Sequence, residues 1–193
     1  MFDPELTRSP LLISPETSSL LVIDLQEKLL PTIPQNDSLL RSVRLLMDAA
    51  NLLNVPITCT EQYPKGLGET VPEIKQALQE PPKDKTLFSC RQCLPAFEGE
   101  ADHQRPQVIL TGIETHVCVL QTALDLMGIG MECFLVVDAV GSRFALDREV
   151  AINRLEASGV TLTTTESVLF EWCQDSRSPH FKQISQWVKE RQR

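Results

Sequence analysis

The segment at residues 108–120, V-I-L-T-G-I-E-T-H-V-C-V-L, constrains the fold of this 193-residue chain more than any other part of the sequence. It opens with an apolar run rich in β-branched residues, which is typical of a buried parallel strand. Gly112 interrupts the run, Thr115 can cap a helix, and apolar residues then recur three and four positions apart. The segment therefore predicts a strand followed at once by a helix, with Cys118 in the first helical turn.

Cys118 would thus lie just beyond the carboxyl end of a strand, where open α/β sheets hold their functional sites. A thiol in the first turn of a helix faces the positive end of the helix dipole, which lowers the thiol pKa and favours the thiolate. The alternative is that Cys118 is a small buried apolar residue, as most free cysteines are. Position alone leaves both interpretations open.

The rest of the chain repeats this alternation of strand and helix. Besides the segment at 108–120, strands are predicted at 20–25, 55–60, 85–89, 131–137 and 160–164, and helices at 37–53, 72–79, 146–158, 166–173 and 179–191. Strands that alternate with helices over the whole length imply a parallel sheet with helices on both faces. We therefore predict an α/β fold in three layers, with a mostly parallel central sheet of about six strands.

The length fits one domain with a full core, so residues 1–193 are predicted to form a single domain with an arm at 1–18 and a closing helix at 179–191. The first residues carry acids and prolines where a signal peptide needs a basic segment and an apolar run. No apolar run approaches the ~20 residues of a membrane span. We expect a cytoplasmic protein whose six cysteines are reduced thiols.

The net charge of −8 argues against nucleic acid or an anionic membrane as the main partner and leaves a small-molecule substrate. The sequence contains no dinucleotide-binding fingerprint, no P-loop and no serine nucleophile elbow. His103, His116 and His180 match no metal-ligand spacing, so we expect neither a metal nor a cofactor. Cys90 and Cys93 form a single C-x-x-C pair, which is a weak indication of zinc binding or redox chemistry without a second pair. A redox protein that uses these two thiols stays an alternative.

Asp24, Lys85 and Cys118 each lie at or near an end of a predicted strand, and these ends converge on one side of a doubly wound sheet. There Cys118 could attack an electrophilic carbon as thiolate, while Asp24 moves protons and Lys85 keeps Asp24 ionised. Backbone N–H groups at the start of the Cys118 helix would hold an oxyanion. The alternative is a salt bridge between Asp24 and Lys85 that only ties two strands together.

Three segments, L-L-V-I-D-L-Q (20–26), K-T-L-F-S (85–89) and G-I-E-T-H-V-C-V (112–119), resemble the motifs of the isochorismatase-like cysteine hydrolases in order, spacing and strand context. The resemblance covers about residues 19–168. The loop T-E-Q-Y-P-K-G-L-G and the later segment D-A-V-G-S-R look like the isochorismatase-domain-containing branch, whose substrates are mostly undefined.

The resemblance implies a Rossmann-like α/β/α fold and a catalytic triad in which Asp24 is the general base, Lys85 the lysine and Cys118 the nucleophile. It also implies a cis peptide bond between Ile113 and Glu114, which would aim backbone N–H groups at an oxyanion. Members of the family commonly assemble with themselves, often with the active site near a subunit interface. We therefore expect a homo-oligomer, either a dimer or a tetramer.

The loop after the second strand, T-E-Q-Y-P, lacks the histidines with which the nicotinamidase branch holds a metal, which disfavours a metal-dependent nicotinamidase. True isochorismatases cleave a vinyl ether without a cysteine nucleophile, whereas Cys118 points to amide- or carbamoyl-type C–N bonds. We therefore predict hydrolysis of a small amide-like metabolite through a covalent thioester. The alternatives left open are isochorismatase-type C–O hydrolysis and a member that binds a ligand or partner with little turnover.

The predicted pocket is lined by residues at the catalytic edge of the sheet, and backbone groups of the segment before Cys118 contribute to it. Glu114 is expected to narrow the pocket or to favour a cationic or amide-bearing substrate. The full predicted set around the triad is Gln26, Gln62, Tyr63, Phe88, Ile113, Glu114 and Val117.

Overall fold

The computed structural model describes residues 8–94 and 105–191. Within these ranges the chain forms one six-stranded parallel sheet with the strand order β3-β2-β1-β4-β5-β6. The strands are β1 (Ser18–Ile23), β2 (Ile57–Gln62), β3 (Lys83–Lys85), β4 (Gln107–Ile113), β5 (Glu132–Gly141) and β6 (Thr161–Thr163). The order reverses between β1 and β4, and ligands bind in the crevice that such a reversal opens.

The helices cover both faces of the sheet. They are α1 (Asn36–Leu52), α2 (Pro64–Leu67), α3 (Pro72–Lys75), α4 (Leu120–Met127), α5 (Ala145–Ala157), α6 (Thr165–Cys173) and α7 (Phe181–Arg191). A π-helical turn, Thr115–Val119, precedes α4, and short 3₁₀ turns lie at Leu30–Thr32 and Arg91–Cys93. None of the described helices combines the length and the apolar character that a bilayer span requires.

Alternate residues of the central strands supply two cores on opposite faces of the sheet. Leu20 and Val22 of β1 belong to the core that includes α1, α6 and α7. Leu21 and Ile23 belong to the core that includes α4 and α5. Because successive side chains of a strand point to opposite faces, one apolar run serves both layers. The predicted three-layer α/β/α fold is therefore confirmed.

The third strand differs most from its prediction. It spans Lys83–Lys85 and not 85–89, because the ladder to β2 ends at Lys85. Beyond that residue the Lys85 ammonium contacts the carbonyl oxygens of Leu87 and Phe88, at 3.4 and 3.1 Å. These contacts satisfy backbone acceptors that a longer strand would have paired in the sheet.

Other boundaries differ as well. β5 continues to Gly141, four residues past its predicted end. β2 ends at Gln62, two residues later than predicted, since Glu61 and Gln62 pair with β3. The loop predicted after β2 contains the short helix α2, and α3 ends at Lys75, before the predicted end at residue 79.

From Arg8 onwards the N-terminal arm is hydrogen-bonded to α6 and to the start of β4. The Arg8 guanidinium donates to the carbonyls of Ile13 and Glu171. Residues 1–7 of the predicted arm, and His103, lie outside the described residues.

All six cysteines are buried free thiols, as expected for reduced residues. Burial raises the pKa of Cys59 and of Cys133 to about 12, and burial together with the Asp24 carboxylate raises the pKa of Cys90 to about 11. A thiol whose pKa is raised by folding stays protonated in the native chain at a pH where the unfolded chain has already released the proton.

We therefore expect the fold to lose stability in alkali. Each buried thiol contributes to the free energy of unfolding. This contribution is complete below the pKa of the thiol in the unfolded chain, and it is lost as pH rises from there towards the pKa of the thiol in the folded chain. Above about pH 9 the free energy of unfolding should fall by about 1.4 kcal/mol per pH unit for each such thiol. Urea unfolding across this range, for the wild type and Cys133→Ala, should give a shallower pH slope in the variant. Equal slopes would contradict the expectation.

Candidate active site

The carboxyl ends of the first three strands and the turn after β4 meet at one edge of the sheet. Asp24 directly follows β1, Lys85 ends β3, and Cys118 lies in the π-helical turn. All three residues are almost inaccessible, with exposed fractions of 0%, 3% and 6% respectively. The structure thus brings together the three residues that the strand ends predicted to be neighbours.

Lys85 occupies the centre of the site. Its Nζ lies 2.7 Å from Asp24 Oδ2 and 3.6 Å from Cys118 Sγ. The same ammonium donates to Gln62 Oε1 at 2.7 Å and to the Phe88 carbonyl at 3.1 Å. A buried charge is costly unless it is paired and hydrogen-bonded, and this set of acceptors offsets that cost.

Asp24 is held where β1 ends, with a left-handed backbone at φ 53°. Its N–H donates to the Thr60 carbonyl at 3.2 Å, and the Thr60 hydroxyl donates to Asp24 Oδ1 at 2.8 Å. Gly112 of β4 pairs with Ile23, the residue before Asp24, and a Cβ at Gly112 would lie 2.1 Å from the Ile23 carbonyl oxygen. Gly112 therefore continues β4 and allows its close approach to β1, whereas the sequence pattern suggested that it ends the strand.

The chain then turns into the helical segment that carries the thiol. The peptide bond between Ile113 and Glu114 is cis, as the family resemblance implies. The N–H groups of Val117 and Val119 both donate to the Glu114 carbonyl, at 3.1 and 3.2 Å. Cys118 thus lies in a wide π turn and not in the first turn of an α-helix.

The surroundings raise the pKa of Cys118. Burial disfavours the thiolate most, and the Asp24 carboxylate adds to this by repulsion and by accepting a hydrogen bond from the thiol; Lys85 opposes the shift. Burial also disfavours the Lys85 ammonium, but the neighbouring Cys90 and Asp24 outweigh it and raise the pKa of Lys85. The expectation that the helix dipole depresses the Cys118 pKa is therefore wrong for the free protein, in which the thiol holds its proton beside Asp24.

Two glutamines predicted to line the pocket form hydrogen bonds with other residues of the chain. Gln26 is fully buried; its Nε2 donates to the carbonyls of Gln62 and Gly68, at 3.0 and 2.7 Å, and its Oε1 accepts from the Gln62 N–H at 2.8 Å. Gln62 donates to the Thr86 carbonyl at 2.8 Å and accepts from Lys85. Gln26 thus joins the loops after β1 and β2, and Gln62 orients the lysine. Ile113 is buried in the apolar core.

Three apolar side chains at this edge are exposed, and we refer to Tyr63, Leu87 and Phe88 as the apolar rim. Their exposed fractions are 55%, 60% and 52%. Tyr63 and Phe88 belong to the predicted set, whereas Leu87 does not. Leu87 and Phe88 are exposed on the segment whose carbonyls contact Lys85.

Glu114 is buried, and its charge is balanced within the chain. Arg143 approaches both carboxylate oxygens, through its Nε at 3.0 Å and its backbone N–H at 3.1 Å. His116 lies 3.9 Å from the same carboxylate, and its Nδ1 lies 3.0 Å from the Ser142 hydroxyl. Within the described ranges, no three His, Cys, Asp or Glu side chains are grouped as a metal site would require.

Sequence reasoning missed three residues around the site, namely Thr60, Cys90 and Arg143. Thr60 could have been found, because parallel pairing places it in register with Ile23, the residue before Asp24. Cys90 was considered only as half of a C-x-x-C pair. No pattern in the sequence indicated that Arg143 would reach back to Glu114.

Comparisons with known proteins match most of the chain. The family model described as the isochorismatase domain matches residues 18–167. The chain is 44% identical over 181 residues to isochorismatase domain-containing protein 2A of Mus musculus, with 92% of this chain and 85% of the relative covered.

Solved structures share the fold of this chain. A structure described as the MAR1 ribonuclease of Caenorhabditis elegans is 43% identical, with a TM-score of 0.85 and 92% of each chain covered. The YcaC gene product of Escherichia coli, described as an octameric hydrolase of unknown specificity, shares the fold with a TM-score of 0.81 at 24% identity, and 95% of this chain and 98% of that chain are covered. The chain belongs to the isochorismatase family.

Proposed function

We propose that the protein hydrolyses a small metabolite at an amide- or carbamoyl-type C–N bond, with Cys118 as the nucleophile. The observation that carries the proposal is the contact of one buried ammonium, Lys85 Nζ, with both Asp24 Oδ2 at 2.7 Å and Cys118 Sγ at 3.6 Å. A salt bridge that only joined strands would need no thiol beside it. Such a bridge would also gain little from burial, since desolvation offsets most of the attraction.

In the first half of the proposed reaction, Asp24 accepts the proton of the Cys118 thiol as Sγ attacks the carbonyl carbon. Lys85 stabilises the negative charge that the pair carries while the proton moves. The tetrahedral intermediate then collapses as Asp24 returns the proton to the leaving nitrogen. The C–N bond breaks, an amine or ammonia leaves, and a thioester to Sγ remains.

In the second half, a water molecule takes the place of the amine. Asp24 accepts a proton from this water while the oxygen of the water attacks the thioester carbon. The C–S bond breaks, Sγ takes back the proton from Asp24, and the carboxylic acid leaves. Backbone N–H groups of the π-helical turn are proposed to hold the oxyanion in both halves. The N–H of Val117, a residue of the predicted set, already donates to the Glu114 carbonyl and would have to leave it to take part.

The apolar rim supports a substrate with an apolar part, or contact with a second copy of the chain. Exposed apolar side chains also lie directly before α5, at Phe144, and in its first turns, at Leu146 and Val150. Exposed apolar groups in such number favour an interface, so we propose a homo-oligomer, with dimer and tetramer as the predicted forms. The cytoplasmic location remains a prediction.

Other functions are weaker candidates. Hydrolysis of RNA is suggested only by the description of the Caenorhabditis elegans structure, and the net charge of −8 provides no electrostatic attraction to a polyanion. C–O hydrolysis of the isochorismatase type would not require the thiol. A redox function of Cys90 and Cys93 has little support, because Cys90 faces the Asp24 site as a free thiol.

Replacing Cys118 with Ala should lower kcat by at least about ten-thousand-fold on any substrate found, because the nucleophile is lost. Substrates would be sought in a panel of amides, carbamoyl compounds, vinyl ethers and an RNA oligonucleotide. Cys133→Ala is the matched control, since it removes another buried thiol of the same apolar core and should retain turnover. Retained turnover in Cys118→Ala would overturn the mechanism, and turnover of only the vinyl ether or RNA would overturn the substrate class.

Replacing Asp24 with Asn should lower kcat by at least about a hundredfold and at the same time lower the pKa of Cys118. The sign follows from the site, because Asp24 raises the pKa of this thiol and Lys85 lowers it. The thiolate should therefore appear at lower pH in the variant, although turnover is lost. The shift is measured by titrating the ultraviolet absorbance of the thiolate with pH. The same titration of each protein with the additional change Cys118→Ala supplies the background of the other thiols. An unchanged or higher thiol pKa would be inconsistent with Asp24 as the proton acceptor.

A further inference from the structure

We infer that Thr60 and Cys90 form a hydrogen-bonded relay that holds Asp24 through Oδ1, the carboxylate oxygen opposite the one that Lys85 contacts. In this relay Thr60 is a positioning residue for proton transfer, and Cys90 orients Thr60. The inference rests on the proposed function, because it concerns the carboxylate that moves the proton. It also assigns Cys90 a role that is neither metal binding nor redox chemistry.

Thr60 holds Asp24 through two hydrogen bonds. Its carbonyl accepts the Asp24 N–H at 3.2 Å, and its hydroxyl donates to Asp24 Oδ1 at 2.8 Å. Thr60 is fully buried, so water cannot replace the hydroxyl. With Oδ1 occupied by Thr60 and Oδ2 in contact with Lys85, each carboxylate oxygen has a fixed donor.

The position of each proton follows from the donors and acceptors available. A threonine hydroxyl has one proton and two lone pairs, and an ionised carboxylate can only accept. The Thr60 hydroxyl therefore donates its one proton to Asp24, and the hydroxyl oxygen can only accept a further hydrogen bond. Cys90 Sγ lies 3.4 Å from this oxygen, so the Cys90 thiol must be the donor. Burial and the Asp24 carboxylate keep that thiol protonated by raising its pKa to about 11.

Cys90 is itself anchored to the helix that follows the nucleophile. Its N–H donates to the Thr122 hydroxyl at 2.9 Å, and this hydroxyl donates to the Cys118 carbonyl at 2.6 Å. The polar chain therefore runs from the backbone of Cys118 through Thr122, Cys90 and Thr60 to Asp24. A movement of the base relative to the nucleophile would break at least one of these bonds.

The relay is one of several influences on Asp24. Among the described residues, the titratable groups that interact electrostatically with it are Lys85 from β3, Cys118 from the π-helical turn, Cys90 and Cys93 from the segment after β3, and Cys59 from β2. Removing the Thr60 hydroxyl deprives the Cys90 thiol of its acceptor and removes a donor to the ionised carboxylate. The carboxylate should then bind a proton more readily, and the active form of the enzyme should be lost at higher pH.

The test compares Thr60→Val, Thr60→Ser and Thr58→Val. Thr58 lies two residues earlier on the same face of β2 and makes no contact with Asp24, so Thr58→Val controls for the isosteric change in the strand. We expect Thr60→Val to move the acidic limb of kcat/KM to higher pH, with about a tenfold loss on that limb. Thr60→Ser should restore most of the loss. An unmoved limb in a folded Thr60→Val protein, or no rescue by Ser, would overturn the inference.

The role of Cys90 is tested by a double-mutant cycle with Thr60. Cys90→Ala should lower kcat/KM by about threefold in the wild-type background, because the Thr60 hydroxyl loses its orienting donor, and Cys90→Ser should lower it less. In the Thr60→Val background Cys90→Ala should have no further effect. If the kcat/KM losses of the two single variants add in the double variant, and the midpoint of thermal unfolding is unchanged, Cys90 does not act through Thr60.

A second readout needs no substrate and separates failure of the relay from failure of the proposed function. Alkylation of Cys118 by iodoacetamide, followed by mass spectrometry across pH, reports the proton that Asp24 and Cys118 share. If Asp24→Asn leaves this profile unchanged, the proposed function itself is wrong. If Asp24→Asn changes this alkylation profile but Thr60→Val and Cys90→Ala leave it unmoved, the relay alone is wrong.

Discussion

The burial of one ammonium group, that of Lys85, is the constraint on which the rest of the candidate active site depends. An unpaired charge in this setting would cost several kcal/mol, so every acceptor within reach has to be supplied by the fold. The acceptors come from four separate parts of the chain: the carboxylate after β1, the amide at the end of β2, two carbonyls after β3, and the thiol after β4. Short loops, a left-handed Asp24 and a close approach at Gly112 bring these parts together.

Much of this arrangement follows from the sequence by simple rules. Apolar runs alternating with helical periodicity predict a parallel sheet, and the carboxyl ends of such strands share one edge. Asp24, Lys85 and Cys118 could therefore be grouped before any coordinates were known. The boundaries were less accurate, because β3 ends where Lys85 takes over the following carbonyls, which is a long-range contact that no local pattern encodes.

The electrostatic state of Cys118 could not be predicted from its position along the chain. A helix N-terminus lowers a thiol pKa, but burial and the Asp24 carboxylate act in the opposite direction and outweigh it. The functions of Gln26, Gln62 and Arg143 were equally inaccessible, since each depends on a partner more than twenty residues away. Sequence patterns report the spacing of side chains along elements, whereas these assignments depend on which elements face each other in space.

The way Lys85 holds the segment after β3 has a consequence for how this family can diversify. The ammonium contacts the carbonyl oxygens of Leu87 and Phe88, whereas the side chains of both residues are exposed. Carbonyl oxygens are present whatever residue occupies these positions. Substitutions at 87 and 88 can therefore change the entrance to the site without disturbing the charged pair beneath it. Under the proposed function, new substrate preferences can arise at this rim while the buried groups are inherited unchanged.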